Sequence, residues 1–221
     1  PAVVMAVASY YLAFAVGDGG TGVMLSEVAI AAVFIAAALL GFKRSPCTPA
    51  SIAASDIAEA FASAEAGLAA WQDVPAWTRA RIMRKAADLI RERSETIARI
   101  MSTETGKPLA EARGETNAAA DQFEWYAEEA KRIYGHTIPG RAADQRMTVI
   151  FQPVGVCLSL SAWNFPALLP ARKIAAALAA GCSVIARPAS EAPGSCFALV
   201  QCLIDAGVGS GAVTVLTGPA Q

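Results

Sequence analysis

Histidine is almost missing from this 221-residue chain, which has only His136. The five cysteines, Cys47, Cys157, Cys182, Cys196 and Cys202, include no CxxC pair. Zinc needs about four Cys or His donors at close spacing, so no metal site is expected. The thiols read instead as buried, reduced side chains in a cytoplasmic setting. An excess of charge is lacking too: 18 Lys and Arg against 19 Asp and Glu leave a net charge of -1. Such a balance gives no electrostatic footprint for nucleic acid, and none is expected as a partner.

Charge is scarcest at the N-terminus, where Asp18 and Glu27 are the only formally charged side chains from Pro1 to Phe42. The 55% of hydrophobic residues is concentrated there, in two runs, Ala2 to Val16 and Met24 to Phe42. The second has 19 residues, which as a helix rising ~1.5 Å per residue approaches the ~30 Å hydrocarbon core of a bilayer. Lys43 and Arg44 follow it, and the positive-inside rule puts that end in the cytoplasm. Residues 1–44 are therefore expected to form a membrane hairpin, with residues 2–42 contacting lipid. The competing reading, two core helices of a larger globular fold, leaves Tyr10, Tyr11, Phe14 and Phe34 in stretches with no polar face. Between the runs, Gly17, Gly19 and Gly22 spell GxGxxG. This is read as a decoy, because the acidic residue expected about 20 positions on falls in the apolar stretch Ala36 to Phe42.

Ser45-Pro46-Cys47-Thr48-Pro49 interrupts the pattern, and from Asp56 the chain is amphipathic. Asp56 to Trp71, Ala76 to Arg93 and Ser94 to Thr103 have the three- and four-residue apolar spacing of helices. A further helix starts near Pro108 and runs towards Tyr134. From Arg146 strands and helices alternate. Met147 to Phe151 has strand propensity, Val154 to Ala162 is an uncharged strand, and Ala167 to Ala180 is a helix closed by Gly181. Ser183 to Arg187 is a strand, Ser195 to Ala206 a helix closed by Gly207, and Ala212 to Leu216 a strand. This order predicts an α/β domain over residues 50–221, with a helical N-terminal segment and an incomplete Rossmann-like parallel sheet of buried strands.

Ligands of open α/β sheets bind beyond the carboxyl ends of the strands, which singles out Trp163-Asn164-Phe165-Pro166 and Arg187-Pro188-Ala189-Ser190. Read alone, these are a turn and a loop before a helix. Six segments together are more specific: Glu104 to Pro108, Glu128 to Gly135, Gln152 to Val156, Trp163 to Pro166, Leu178 to Cys182 and Arg187 to Ser190. In order and spacing they resemble the aldehyde dehydrogenase superfamily, and Tyr134 to Pro139 is most similar to its succinate-semialdehyde dehydrogenases. The resemblance covers about three quarters of the chain, and residues 1 to about 49 have no counterpart in it.

In that family a cysteine thiolate attacks the aldehyde, a hydride passes to nicotinamide, and a glutamate activates water to release the acid. The resemblance implies that Asn164 donates to the oxyanion and that Trp163 lies against the cofactor. Arg187 and Ser190 would hold the adenosine ribose. The family usually has lysine at the first of these positions, and its strongly NAD-preferring members have glutamate at the second, so arginine with serine favours NADP over NAD. Arg172 matches an arginine that binds the distal carboxylate of an aldehyde such as succinate semialdehyde. His136 is read as structural. None of the five cysteines matches the nucleophile, which with the general-base glutamate comes later in the family than Gln221. The expectation is a truncated chain that is inactive alone, part of a homo-oligomeric cytoplasmic enzyme. The alternatives are a membrane-anchored binding or assembly module without the chemistry, and an artefactual fusion near Ser45.

Overall fold

The computed structural model describes residues 54–209 and 211–217. The hairpin expected over residues 1–44 and its glycine-rich turn lie outside them. Among the described residues no helix is long and apolar enough to cross a membrane.

Four helices come first: α1 (Ala54–Gln72), α2 (Ala76–Glu92), α3 (Ser94–Thr105) and α4 (Leu109–Ala130). Helix α2 buries Ala80, Met83, Ala87 and Ile90, the i, i+3, i+7, i+10 stripe of an amphipathic helix. Helix α4 buries a stripe dominated by alanine together with Phe123. Small side chains let helix backbones approach closely, and α4 packs against α2, α3 and α5 (Leu168–Ala180). The helix ends at Ala130, short of the expected Tyr134, because the chain turns there, with Tyr134 N–H donating to the Arg132 carbonyl at 2.8 Å.

A hairpin follows, β1 (His136–Pro139) antiparallel to β2 (Arg146–Val149). Its first strand is an addition to the sequence reading. The parallel sheet then comprises β3 (Val156–Leu160), β4 (Ser183–Arg187) and β5 (Val213–Val215), in that spatial order, with α5 and α6 (Gly194–Ala206) as the connections. Both connecting helices end on a left-handed glycine, Gly181 at φ 89° and Gly207 at φ 112°, a conformation that glycine adopts without a Cβ clash. The strands are not uniformly buried as expected. Strand β4 is buried over Ser183 to Ala186, but β3 exposes Leu158 and Leu160 on one face.

Candidate functional site

Register brings the two sequence-predicted loops together. Leu160 is the Cα partner of Arg187 at the ends of β3 and β4, and Ser161 N–H donates to the Arg187 carbonyl at 3.1 Å. Because the strands are parallel, the segment with Trp163 and Asn164 and the segment with Ser190 leave the same carboxyl edge from adjacent positions. Trp163 is 59% exposed, Asn164 and Ser190 are exposed, and Arg187 is half-buried at its strand end. Arg172 sits in the second turn of α5, exposed beside Lys173. The Lys173 ammonium donates to the Leu160 carbonyl and ties α5 to the end of β3.

The first loop is held by residues that the sequence reading did not single out. Helix α5 has no side-chain cap of its own. Glu115, in the middle of α4, takes that role: its Oε1 accepts from the amides of Ala167 at 2.9 Å and Leu168 at 3.1 Å. Its other oxygen pairs with the Lys107 ammonium. The same ammonium donates to the Asn164 main-chain carbonyl at 2.8 Å and lies 4.3 Å from the centroid of the Phe165 ring. The pair is shielded, with 15% of the Lys107 side chain and 2% of the Glu115 side chain exposed.

The second loop has a different anchor. Glu104, at the end of α3, accepts from the Gly194 amide at 2.8 Å where α6 begins. Its Oε2 is buried and has no hydrogen-bond partner among the described residues. Burial pushes this carboxyl up to about 7, against the pull of the Gly194 and Ser195 amides. The clue to these residues was partial. Glu104 and Lys107 belong to one of the quoted segments, and Glu115 is the one carboxylate among the buried residues of its helix, beside Ala112, Thr116 and Ala119.

Burial works against the thiolate at three of the cysteines. Burial pushes Cys157 and Cys202 up to about 11 and Cys196 up to about 12, with Cys182, Asp205 and Glu104 respectively adding to it. Cys182 is buried at the start of β4, Cys157 is only half-buried, and Cys47 lies outside the described residues. His136 packs edge-on to Phe151, ring centroids 6.0 Å apart, in the exposed hairpin. Among the described residues no group of three His, Cys, Asp or Glu is arranged to hold a metal.

The Arg187 guanidinium and the Ser190 hydroxyl are a cation and a hydrogen-bond donor, although Glu191 is exposed next to them.

A family model described as "Aldehyde dehydrogenase family" matches residues 43–221, starting a few residues before the boundary read from the sequence. The chain is 48% identical over 167 residues to the NADP(+) succinate-semialdehyde dehydrogenase of Escherichia coli K12, covering 76% of this chain and 35% of that protein. It is 48% identical over 161 residues to the glutarate-semialdehyde dehydrogenase of Pseudomonas putida, covering 73% and 34%. A crystal structure of an aldehyde dehydrogenase from Brucella melitensis biovar abortus superposes with a TM-score of 0.75 at 48% identity, over 77% of this chain and 35% of that one. The chain thus spans about a third of the length of the relatives it matches.

Proposed function

The chain belongs to the aldehyde dehydrogenase family, and on that premise we propose that it supplies the nucleotide-gripping face of an NADP-dependent dehydrogenase of carboxylated aldehydes. The substrate is succinate semialdehyde or its glutarate homologue, and the product is the corresponding acid. The observation that supports this reading is the parallel register that sets the Asn164 and Ser190 loops side by side at one sheet edge.

In this reading Arg187 and Ser190 hold the adenosine ribose and its 2′-phosphate, and Trp163 lies beside the nicotinamide. The bound cofactor supplies a two-electron acceptor. The Asn164 side-chain amide donates to the oxyanion that develops on the aldehyde oxygen, and removing such a donor typically raises a barrier by ~3 kcal/mol. Arg172 pairs with the distal carboxylate, for which a guanidinium fork is geometrically suited. Titration of the purified chain with NADP and NAD tests the cofactor assignment. NADP is expected to bind more tightly, and Ser190→Glu, which sets a carboxylate against the 2′-phosphate, should reverse the order. An unchanged order would remove Ser190 from the ribose site.

The thiols of Cys157, Cys182, Cys196 and Cys202 are outside the chemistry in this proposal, since a thiolate is the attacking species and burial disfavours it at three of the four. The 221-residue polypeptide alone should give no NADPH from succinate semialdehyde and NADP. Turnover above background that drops in Asn164→Ala and again in Cys157→Ser would place a nucleophile among these cysteines.

A further inference from the structure

The short connection between α3 and α4, Glu104 to Pro108, reaches both loops at the sheet edge. Glu104 ends on the Gly194 amide, where the Ser190 loop enters α6. Three residues later, Lys107 ends on the Asn164 carbonyl and on Glu115, which itself holds the Ala167 and Leu168 amides. Gly106, at φ 71°, reverses the chain between them and closes α3. One connection in the helical layer thus touches two segments that are 30 residues apart, Asn164 and Gly194, and are otherwise tied together through the sheet.

We propose that the Glu104–Pro108 connection sets the separation of the two nucleotide-facing loops, with Lys107 the positioning residue for Asn164 and Glu104 the positioning residue for the Ser190 loop. This rests on the cofactor assignment above for what the spacing serves, and on the contacts alone for the anchoring. The ammonium of Lys107 fixes the backbone of Asn164 rather than its side chain, so the amide can still turn towards a developing oxyanion from a fixed base. In this proposal neither residue contacts cofactor or substrate. A dinucleotide spanning both loops needs both anchors, whereas its adenosine half needs only the one from Glu104.

The test uses the full 221-residue chain and its Lys107→Met, Lys107→Arg and Glu104→Ala variants, followed by amide hydrogen exchange and by nucleotide titration. In Lys107→Met, residues 164–168 should exchange at least tenfold faster while residues 194–196 keep their rate. Lys107→Arg, which keeps the cation, should restore most of the protection. Glu104→Ala should do the reverse, accelerating 194–196 at least tenfold and leaving 164–168 alone. With NADPH and 2′,5′-ADP as probes, Lys107→Met should weaken NADPH at least fivefold and leave 2′,5′-ADP unchanged, while Glu104→Ala should weaken both equally. Unchanged exchange at 164–168 in Lys107→Met, or acceleration of both segments by either variant, would overturn the anchoring. Equal loss of both nucleotides in Lys107→Met would overturn the division of labour. If the unaltered chain binds neither nucleotide, the cofactor reading fails, and the exchange result still decides whether the connection anchors the loops.

Discussion

Glu115 and Glu104 both cap helices that lack side-chain caps of their own, α5 and α6, yet the protein neutralises only one of them. Glu115 is matched by the Lys107 ammonium, which is also satisfied by the Asn164 carbonyl and the face of Phe165. Glu104 has a backbone amide on one side and, on the other, a buried oxygen with no hydrogen-bond partner among the described residues. A carboxylate at a helix start gains from the aligned peptide dipoles, but typically only ~0.3–1 kcal/mol, too little to offset the loss of water around a buried charge. The first anchor is therefore a charge matched by an opposite charge. The second is a group whose charge is at stake near neutrality.

The largest effect expected from breaking this contrast follows from Glu115→Ala. That change leaves the Lys107 ammonium without its carboxylate and the Ala167 and Leu168 amides without their acceptor. Removing one member of a buried pair typically costs ~3–5 kcal/mol, and about 4 kcal/mol is expected here in chemical denaturation. Glu115→Gln keeps an acceptor for the amides and should lose less. Equal losses in the two variants would mean that the charge itself contributes nothing, and a loss below about 1 kcal/mol in the alanine variant would mean that the pair is not structurally important.

Much of this framework was readable in the residues, and the parts that were not share a cause. Helices α2, α5 and α6 were placed within a few residues because apolar spacing marks their faces and Gly181 and Gly207 mark two of their ends. The Trp163 and Arg187 segments were placed because each directly follows an uncharged strand run. Strand β1 was not found, since His136-Thr137-Ile138-Pro139 has no strand pattern of its own and is extended by pairing with Arg146 to Val149. The exposure of Leu158 and Leu160 was also missed, because an apolar strand does not reveal whether anything covers it. Lys107, Glu115 and Glu104 were missed as anchors for a third reason. Their partners are backbone groups 52 to 90 residues away, and main-chain donors and acceptors leave no trace in a sequence.

The smaller effect concerns Glu104, which has no ion-pair partner among the described residues, and it is read by pH. Burial holds Glu104 at about 7 in the folded chain against an ordinary value of 4.5. The folded state then binds this proton more tightly than the unfolded chain does. Its contribution to stability is complete below about pH 4.5, declines as pH rises towards about 7, and is constant above that. At about 1.4 kcal/mol for each tenfold change, the gap between the two values corresponds to roughly 3 kcal/mol over that window. Glu104→Gln keeps an oxygen for the Gly194 amide but cannot titrate, so its Tm should vary less than the native Tm between pH 4.5 and 7.5. Every other titratable group is common to both proteins, so the difference between the two profiles isolates this one group. Parallel profiles would show that Glu104 is already ionised when folded, and that the amides at the start of α6 offset the loss of water around its charge.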